Sequence, residues 1–427
     1  MDEIKLSRLI KCPHSKGSFK IHWSDLNRFV QVLWKIPFYH LPQSKKVFPM
    51  YLQELSDLNP DNSGFKKLFP GSHPFFRHVS FLQYFIAWKD GQTVGRIAAY
   101  IDENYHEEDV PDPIGWIGLF ECIECPVIAD KLLEEAISIL QKQGVTKIIG
   151  PAKFNANGEV GLLIDGFEYH PMMMEPYHPP YYQSYFSLKG KKENDWFGFH
   201  IDTDSIQNLV QRINKLGKSI HYLKHKLGEE GISIRPISYL HFFRDTEKIR
   251  QLYNQAWNTT AHPQFENFNK GEFNYIAKGL KAIAQKEWVL LAEDCQGQNP
   301  DLIAFSVMIP DLNELISFYD HRFKNLSQSS KSNLFCWILR DLAIYVNLKQ
   351  WLKHKKFSNA RIFILGSIIK KRGLDALLYE QSYHIALKYN IKMASGSQIA
   401  DINLEMINPL KRMGKVSFLW RVYRFDI

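Results

Sequence analysis

Three carboxylates stand where a strand end or a glycine-punctuated turn would leave them beside a reacting group: Glu121, Glu159 and Asp165. A positioned carboxylate can take a proton from an incoming nucleophile, directly or through water. Asn155, Asn157 and Asp165 lie close together and could hydrogen-bond a polar head group, although Asn155-Ala156-Asn157-Gly158 reads equally well as an ordinary turn. His73-Pro74-Phe75-Phe76-Arg77-His78 offers two histidines, as a base or as part of an aromatic wall. Cys122 and Cys125 form a C-x-x-C, but no second pair stands at zinc-finger spacing, so no metal is expected. Tyr177, Tyr181, Tyr182, Tyr185 and Phe186 are dense enough to be core or to wall an apolar groove. Met172-Met173-Met174 adds adaptable apolar surface suited to an irregular chain.

The elements that would hold these residues follow from the apolar pattern. Phe81 to Trp88, the turn Lys89-Asp90-Gly91 and Thr93 to Ile101 read as a hairpin. A buried strand is expected over Gly115 to Ile123. A helix entered near Pro126 then carries Ala129, Leu132, Leu133, Ala136 and Leu140 at three- and four-residue spacing. Gly144 ends that helix, and Thr146 to Gly150 supplies another strand. A strand, a helix and a strand in about 35 residues make a βαβ unit, so this part of the sheet should be parallel. The second half repeats the order: strands at Trp288–Glu293, Leu302–Ile309 and Arg361–Ile369, a helix from Leu374, and a strand near Ile391–Ala394. A short helix from Asn403 to Met413 and a strand from Val416 to Phe425 follow.

Between the halves, Ile206, Leu209, Ile213, Leu216, Ile220, Leu223 and Leu227 recur at alternating threes and fours, the seam of a helix. The reading is therefore an α/β fold with mixed α+β sheets, in three parts: 1–204, a helical linker 205–230, and 231–427. A chain of 427 residues suits two domains of about 200 residues.

A net charge of +8 fits an anionic partner, whether nucleotide phosphate, membrane or nucleic acid. The Lys and Arg residues are scattered, which argues against a dedicated nucleic-acid surface. The start, Met1-Asp2-Glu3-Ile4-Lys5, lacks the layout of a signal peptide, and no uncharged apolar run reaches the ~20 residues that span a bilayer. Five cysteines suggest reduced thiols and a cytoplasmic location.

The order of these elements resembles the GNAT acetyltransferase-like fold, twice over, as in a tandem-domain group of bacterial proteins. Gly95-Arg96-Ile97-Ala98-Ala99, Tyr253-Asn254-x-Ala256-Trp257 and Pro310-Asp311-x-Asn313 carry the same resemblance. In GNAT proteins a loop of the form Q/R-x-x-G-x-G/A joins the fourth strand to a helix and holds the pyrophosphate of acyl-CoA. Here Leu365-Gly366-Ser367 through Arg372-Gly373-Leu374-Asp375-Ala376 is similar to it, with Lys370 where Gln or Arg is usual. Asn403 falls where the family places the pantetheine arm. The resemblance implies an acyl-CoA-dependent N-acyltransferase acting on an amine of a small molecule, lipid or peptide, with peripheral membrane contact allowed. It implies Tyr182 as the acid that protonates the departing thiolate, Glu121 as the leading base with Asp165 next, and Asn155, Asn157, Glu159 and Tyr181 near the acceptor. The alternatives are an aminoacyl-tRNA-dependent peptidyltransferase of related fold and a catalytically degenerate binding protein.

Overall fold

A computed structural model describes every residue except 1–2, 17, 62–72, 156, 203, 205–206, 208–218, 258–261, 328–332, 370–372 and 427. The chain begins with strand β1 (Lys5–Arg8) and helices α1 (Trp23–Gln31) and α2 (Tyr51–Asp57). Leu26, Phe29 and Val30 of α1, three and four residues apart, are buried. Strands β2 (Val79–Lys89) and β3 (Gln92–Asp102) form the expected hairpin, with Lys89 opposite Gln92. Asp90 and Gly91 make its connection at φ of 52° and 73°, a turn whose twist matches that of the strands. Strand β4 (Ile114–Cys122) extends the sheet, α3 (Pro126–Gln141) crosses over it, and β5 (Lys147–Gly150) returns parallel to β4. The apolar stripe read from sequence is the face that α3 buries. Short strands β6 (Ala152–Lys153), β7 (Glu159–Val160) and β8 (Leu162–Asp165) lead to α4 (Tyr182–Lys189) and the long strand β9 (Lys191–Asp202).

The second half starts with α5 (Ser219–Glu229), β10 (Ile232–Pro236), α6 (Phe242–Ala256) and α7 (Lys270–Ile283). Strands β11 (Val289–Asp294) and β12 (Asp301–Pro310) pair as a hairpin, followed by α8 (Leu312–Ser327) and α9 (Asn333–Lys353). Then come β13 (Asn359–Ser367), α10 (Leu374–Lys388), β14 (Met393–Ala400), α11 (Leu404–Met413) and β15 (Lys415–Asp426). Of the predicted linker seam, Ile206, Leu209, Ile213 and Leu216 lie outside the described residues. Leu223 and Leu227 lie on α5 and pack with Leu374, Leu377 and Leu378 of α10.

One thirteen-stranded sheet runs β1-β2-β3-β4-β5-β15-β9-β14-β13-β12-β11-β10, with β8 also beside β15. Two repeats are present, but their last strands are exchanged. β15 pairs with β5 of the first half, β9 pairs with β14 of the second, and β9 and β15 pair with each other. A short parallel strand left at a sheet edge would present unpaired N–H and C=O groups. The exchange covers both edges and fuses the two sheets. It also carries Phe418, Trp420 and Val422 of β15 into the aromatic core around Trp116 and Tyr100, where Trp420 has no exposed surface.

Candidate functional site

In each half the parallel strands pair briefly and then part. β4 and β5 are in register from Ile114–Lys147 to Trp116–Ile149, and β13 and β14 from Asn359–Met393 to Ile362–Gly396. Beyond these points β4 continues to Cys122 and β13 to Ser367 without that neighbour. A wedge between diverging strands is where a strand-end amide can meet a ligand carbonyl.

The first wedge is closed by side chains. The Cys122 N–H donates to Tyr182 Oη at 2.6 Å, and that oxygen lies 3.0 Å from Glu121 Oε2 and 3.1 Å from the Cys122 carbonyl. Tyr39 donates to the same Glu121 oxygen at 2.8 Å, and Tyr181 donates to the Cys122 carbonyl at 2.9 Å. Tyr182 is fully buried and Glu121 almost so. Burial pushes the Glu121 carboxyl above its ordinary range, against the pull of Lys46 and Arg96 and the hydrogen bonds from Tyr39 and Tyr182. Burial, and then Glu121, raise the Tyr182 phenol far above its usual value. The sequence candidates Glu121, Tyr181 and Tyr182 thus come together, as a latch on the end of β4.

The other first-half candidates lie elsewhere. Asp165 is exposed at the end of β8 and accepts from the Gly166 N–H at 2.9 Å. Glu159 is half-buried on β7, opposite Lys153. Asn155 and Asn157 join the halves: Asn155 Nδ2 donates to Glu266 Oε2 at 2.8 Å, and Asn157 Nδ2 donates to the Glu266 carbonyl at 3.1 Å. Tyr253 completes the joint by donating to Asn157 Oδ1 at 2.9 Å.

Glu266 also faces a buried acid–imidazole group. His78 Nδ1 is 2.7 Å from Asp102 Oδ1, and its Nε2 is 3.0 Å from Glu272 Oε1. Asp102 Oδ2 and Glu266 Oε1 are buried, and the Glu266 carboxyl, when it keeps its proton, hydrogen-bonds to Asp102. The ligating atoms of His78, Asp102 and Glu266 lie within 4.8 Å of one another, close enough to take up a metal ion. Without one, burial and then Asp102 and Glu272 push Glu266 up to about 9. Burial pulls His78 down, but its hydrogen bonds to Asp102 and Glu272 outweigh that and raise it to about 10.

The second half holds the glycine-containing loop. Gly366 is buried against Trp257, whose ring lies 2.3 Å from where a Cβ would stand, while Leu365 and Ser367 are half-buried. Ser367 Oγ turns onto Ile369, accepting from its N–H at 3.2 Å and donating to its carbonyl at 3.0 Å. Gly373, at φ +76°, caps the start of α10, where Leu374, Asp375 and Ala376 form the first turn. The first amides of a helix have no intrahelical acceptor and favour an anion, although Asp375 already brings a negative charge there. Arg372 lies outside the described residues. Asn403 is buried as the cap of α11, its side chain accepting from the Met406 N–H at 3.2 Å.

Where β13 and β14 begin to part lies a polar group that the sequence reading missed. Ser395 on β14 is in register with Arg361 on β13 and with His200 on β9, so the three side chains share one face. Glu175, in the segment after the methionine run, accepts from the hydroxyls of Ser395 and Ser397 and from the Met172 N–H at 2.7 Å. Arg361 donates to the carbonyls of Met173 at 2.6 Å and Ser397 at 2.9 Å. All five side chains are buried, and His200 Nε2 has no hydrogen-bond partner. Burial lowers the His200 pKa, helped by Lys415 and His170 and opposed by Glu175. The ring is therefore neutral at neutral pH and can accept a proton. Asp311 and Asn313 hold the segment in place: Asp311 Oδ1 accepts from the Met173 N–H at 2.9 Å, and Asn313 Nδ2 donates to the Pro171 carbonyl at 2.9 Å. Isolated serines and one acid among prolines carry no spacing signal. Only the strand exchange brings His200 to Ser395.

No family model matches the chain. The bacterial ceramide synthase of Caulobacter vibrioides is 27% identical over 367 residues, covering 83% of this chain and 86% of that protein. Protein YghO of Escherichia coli is 29% identical over 236 residues, 55% of this chain and 56% of that protein, so this second match spans little more than half of its relative. Among solved structures, a tandem GNAT protein from the clavulanic acid biosynthesis pathway aligns with 99% of this chain and 98% of its own at 9% identity and a TM-score of 0.47. The chain is similar over most of its length to a bacterial ceramide synthase.

Proposed function

We propose that the chain is an acyl-CoA-dependent N-acyltransferase whose acceptor is the amine of a long-chain amino alcohol. The observation that carries this reading is the likeness to a ceramide synthase across both halves, at 86% of that protein's length. Forming a ceramide joins a fatty acyl group to such an amine. In this proposal the pyrophosphate of acyl-CoA lies at the start of α10, against the amides of Leu374, Asp375 and Ala376. Leu365 to Ser367 flank the wedge that would receive the thioester, with Asn403 toward the pantetheine arm.

The ammonium first gives one proton to a base, the freed amine nitrogen attacks the thioester carbon, and the C–S bond breaks as the amide forms. The nitrogen loses its second proton in that step, which balances the one the departing thiolate takes up. Glu121 and Tyr182 are engaged with each other and with Cys122, so the proposed proton acceptor is His200 Nε2, with Glu175 and Ser395 beside it. The apolar surface of Met172 to Met174 borders this group and suits an aliphatic chain. Thermal unfolding with free CoA, acetyl-CoA and a long-chain acyl-CoA tests the cofactor assignment. A rise in melting temperature, largest for the long-chain thioester and absent in Gly373→Glu, is the expected result. No shift with any of the three would overturn it.

A further inference from the structure

Helix α9 is apolar on its outward face as well as on the inward face that carries Cys336 and Ile344, unlike an ordinary surface helix. From residue 334 to 346 its exposed positions are Leu334, Phe335, Leu339, Leu342, Tyr345 and Val346. Phe335, Tyr345 and Val346 leave 65%, 75% and 71% of their surface open. Phe335, Leu339, Leu342 and Val346 follow at spacings of four, three and four, so they form one stripe. The charged residues of these turns point inward instead. Arg340 donates to Asp320 Oδ1 at 2.7 Å and to the Pro49 carbonyl at 2.6 Å, and Asp341 accepts from the Leu52 N–H at 2.7 Å. Contiguous exposed apolar surface of this kind marks a docking site.

Charge that continues the stripe along the helix, and that neighbours it in the chain, identifies the partner. The stripe continues into Lys349 and Lys353, Lys355 and Lys356 follow the helix, and Arg322 on α8 lies over the exposed Phe318 ring at 5.0 Å. Among the described residues from 317 to 356, every exposed side chain of formal charge is positive. A second copy of the chain would set this basic rim against itself, whereas an anionic surface complements it. No helix among the described residues is long and apolar enough to cross a membrane.

We infer that α9 docks the protein on a membrane surface rich in anionic phospholipid, lying in the plane of the bilayer with its apolar stripe at the boundary between headgroups and acyl chains. The lysines and Arg322 then meet lipid phosphates. The inference rests on the exposed face alone and holds whatever the protein acylates.

The test is co-sedimentation of the full chain with vesicles of a zwitterionic phospholipid and with vesicles that also contain an anionic one. Strong binding to the anionic vesicles is expected, weakened by salt. Leu342→Glu/Val346→Glu should weaken partition by roughly tenfold or more, and Lys349→Glu/Lys353→Glu should do so for anionic vesicles in particular. Both pairs are exposed, and an unchanged melting temperature confirms that the variants fold. Failure of the folded protein to bind either vesicle would overturn the inference. So would a stable dimer that Leu342→Glu/Val346→Glu dissociates and that does not bind vesicles, because the face would then join two copies.

Discussion

His200 sits between opposing influences: burial, Lys415 and His170 depress its pKa, while Glu175 raises it, and burial wins. Its proton-accepting form therefore persists below the usual histidine value of 6.5. If it takes the ammonium proton, kcat/KM should hold as the pH falls through 6.5 and decline only below it. His200→Gln should lower kcat by on the order of 10²–10⁴-fold and remove that acid limb, with little change in melting temperature. An unchanged profile would exclude His200 as the base. Tyr182 contrasts with it. Tyr182→Phe leaves the buried Cys122 N–H without its acceptor, which should destabilise the protein by about 1–3 kcal/mol in denaturant titrations. Turnover by the folded fraction should be largely kept, because the hydroxyl serves the end of β4.

At the scale of elements, the exchanged strands govern stability. Trp420 on β15 belongs to the last strand of the chain yet fills the core of the first half, and its indole N–H donates to the Pro176 carbonyl at 2.8 Å. Trp420→Ala should cost about 3–5 kcal/mol and should expose first-half residues such as Trp116 together with the rest, in one transition. Residues 1–204 expressed alone should fail to fold stably, since β5 loses β15 and β9 loses both its neighbours. A cooperative melt of that fragment would contradict this. Apolar runs bounded by turns made β2, β3, β4 and β12 legible in the sequence, alternation did so for β15, and three-four spacing for α3. That pattern marks which residues lie on one face of a strand but not which strand lies beside it, so the exchange was invisible. For the same reason the reading found Glu121 with Tyr182, which adjoin within one half, and missed Glu175 with His200 and Ser395, which meet only across the exchange. On sequence alone Asn155 and Asn157 suit a head-group ligand or an ordinary turn, since the same side-chain amides serve either. The structure has them holding Glu266.

Over the whole molecule, the halves are also joined by the buried group His78, Asp102, Glu266 and Glu272. Glu266 keeps its proton to about pH 9 when folded, against 4.5 for a free side chain. Its contribution to stability is complete below about pH 4.5 and is lost as the pH rises through about 9. His78, raised from 6.5 to about 10, acts in the same direction: its contribution is complete below 6.5 and lost as the pH rises through 10. The melting temperature should therefore fall between about pH 7 and 9 more steeply in the wild type than in Glu266→Gln, whose amide stands in for the protonated acid. Equal slopes would show that Glu266 is ionised at neutral pH. The central claim is the chemistry that this joined molecule performs. The most direct measurement incubates the full chain with a long-chain acyl-CoA and a long-chain amino alcohol, following free CoA thiol and product mass together. Thiol release matched by the N-acyl amide, and lost in His200→Gln, is what the account predicts. A folded protein that releases no thiol and forms no amide with any pairing of acyl-CoA and long-chain amine would contradict it.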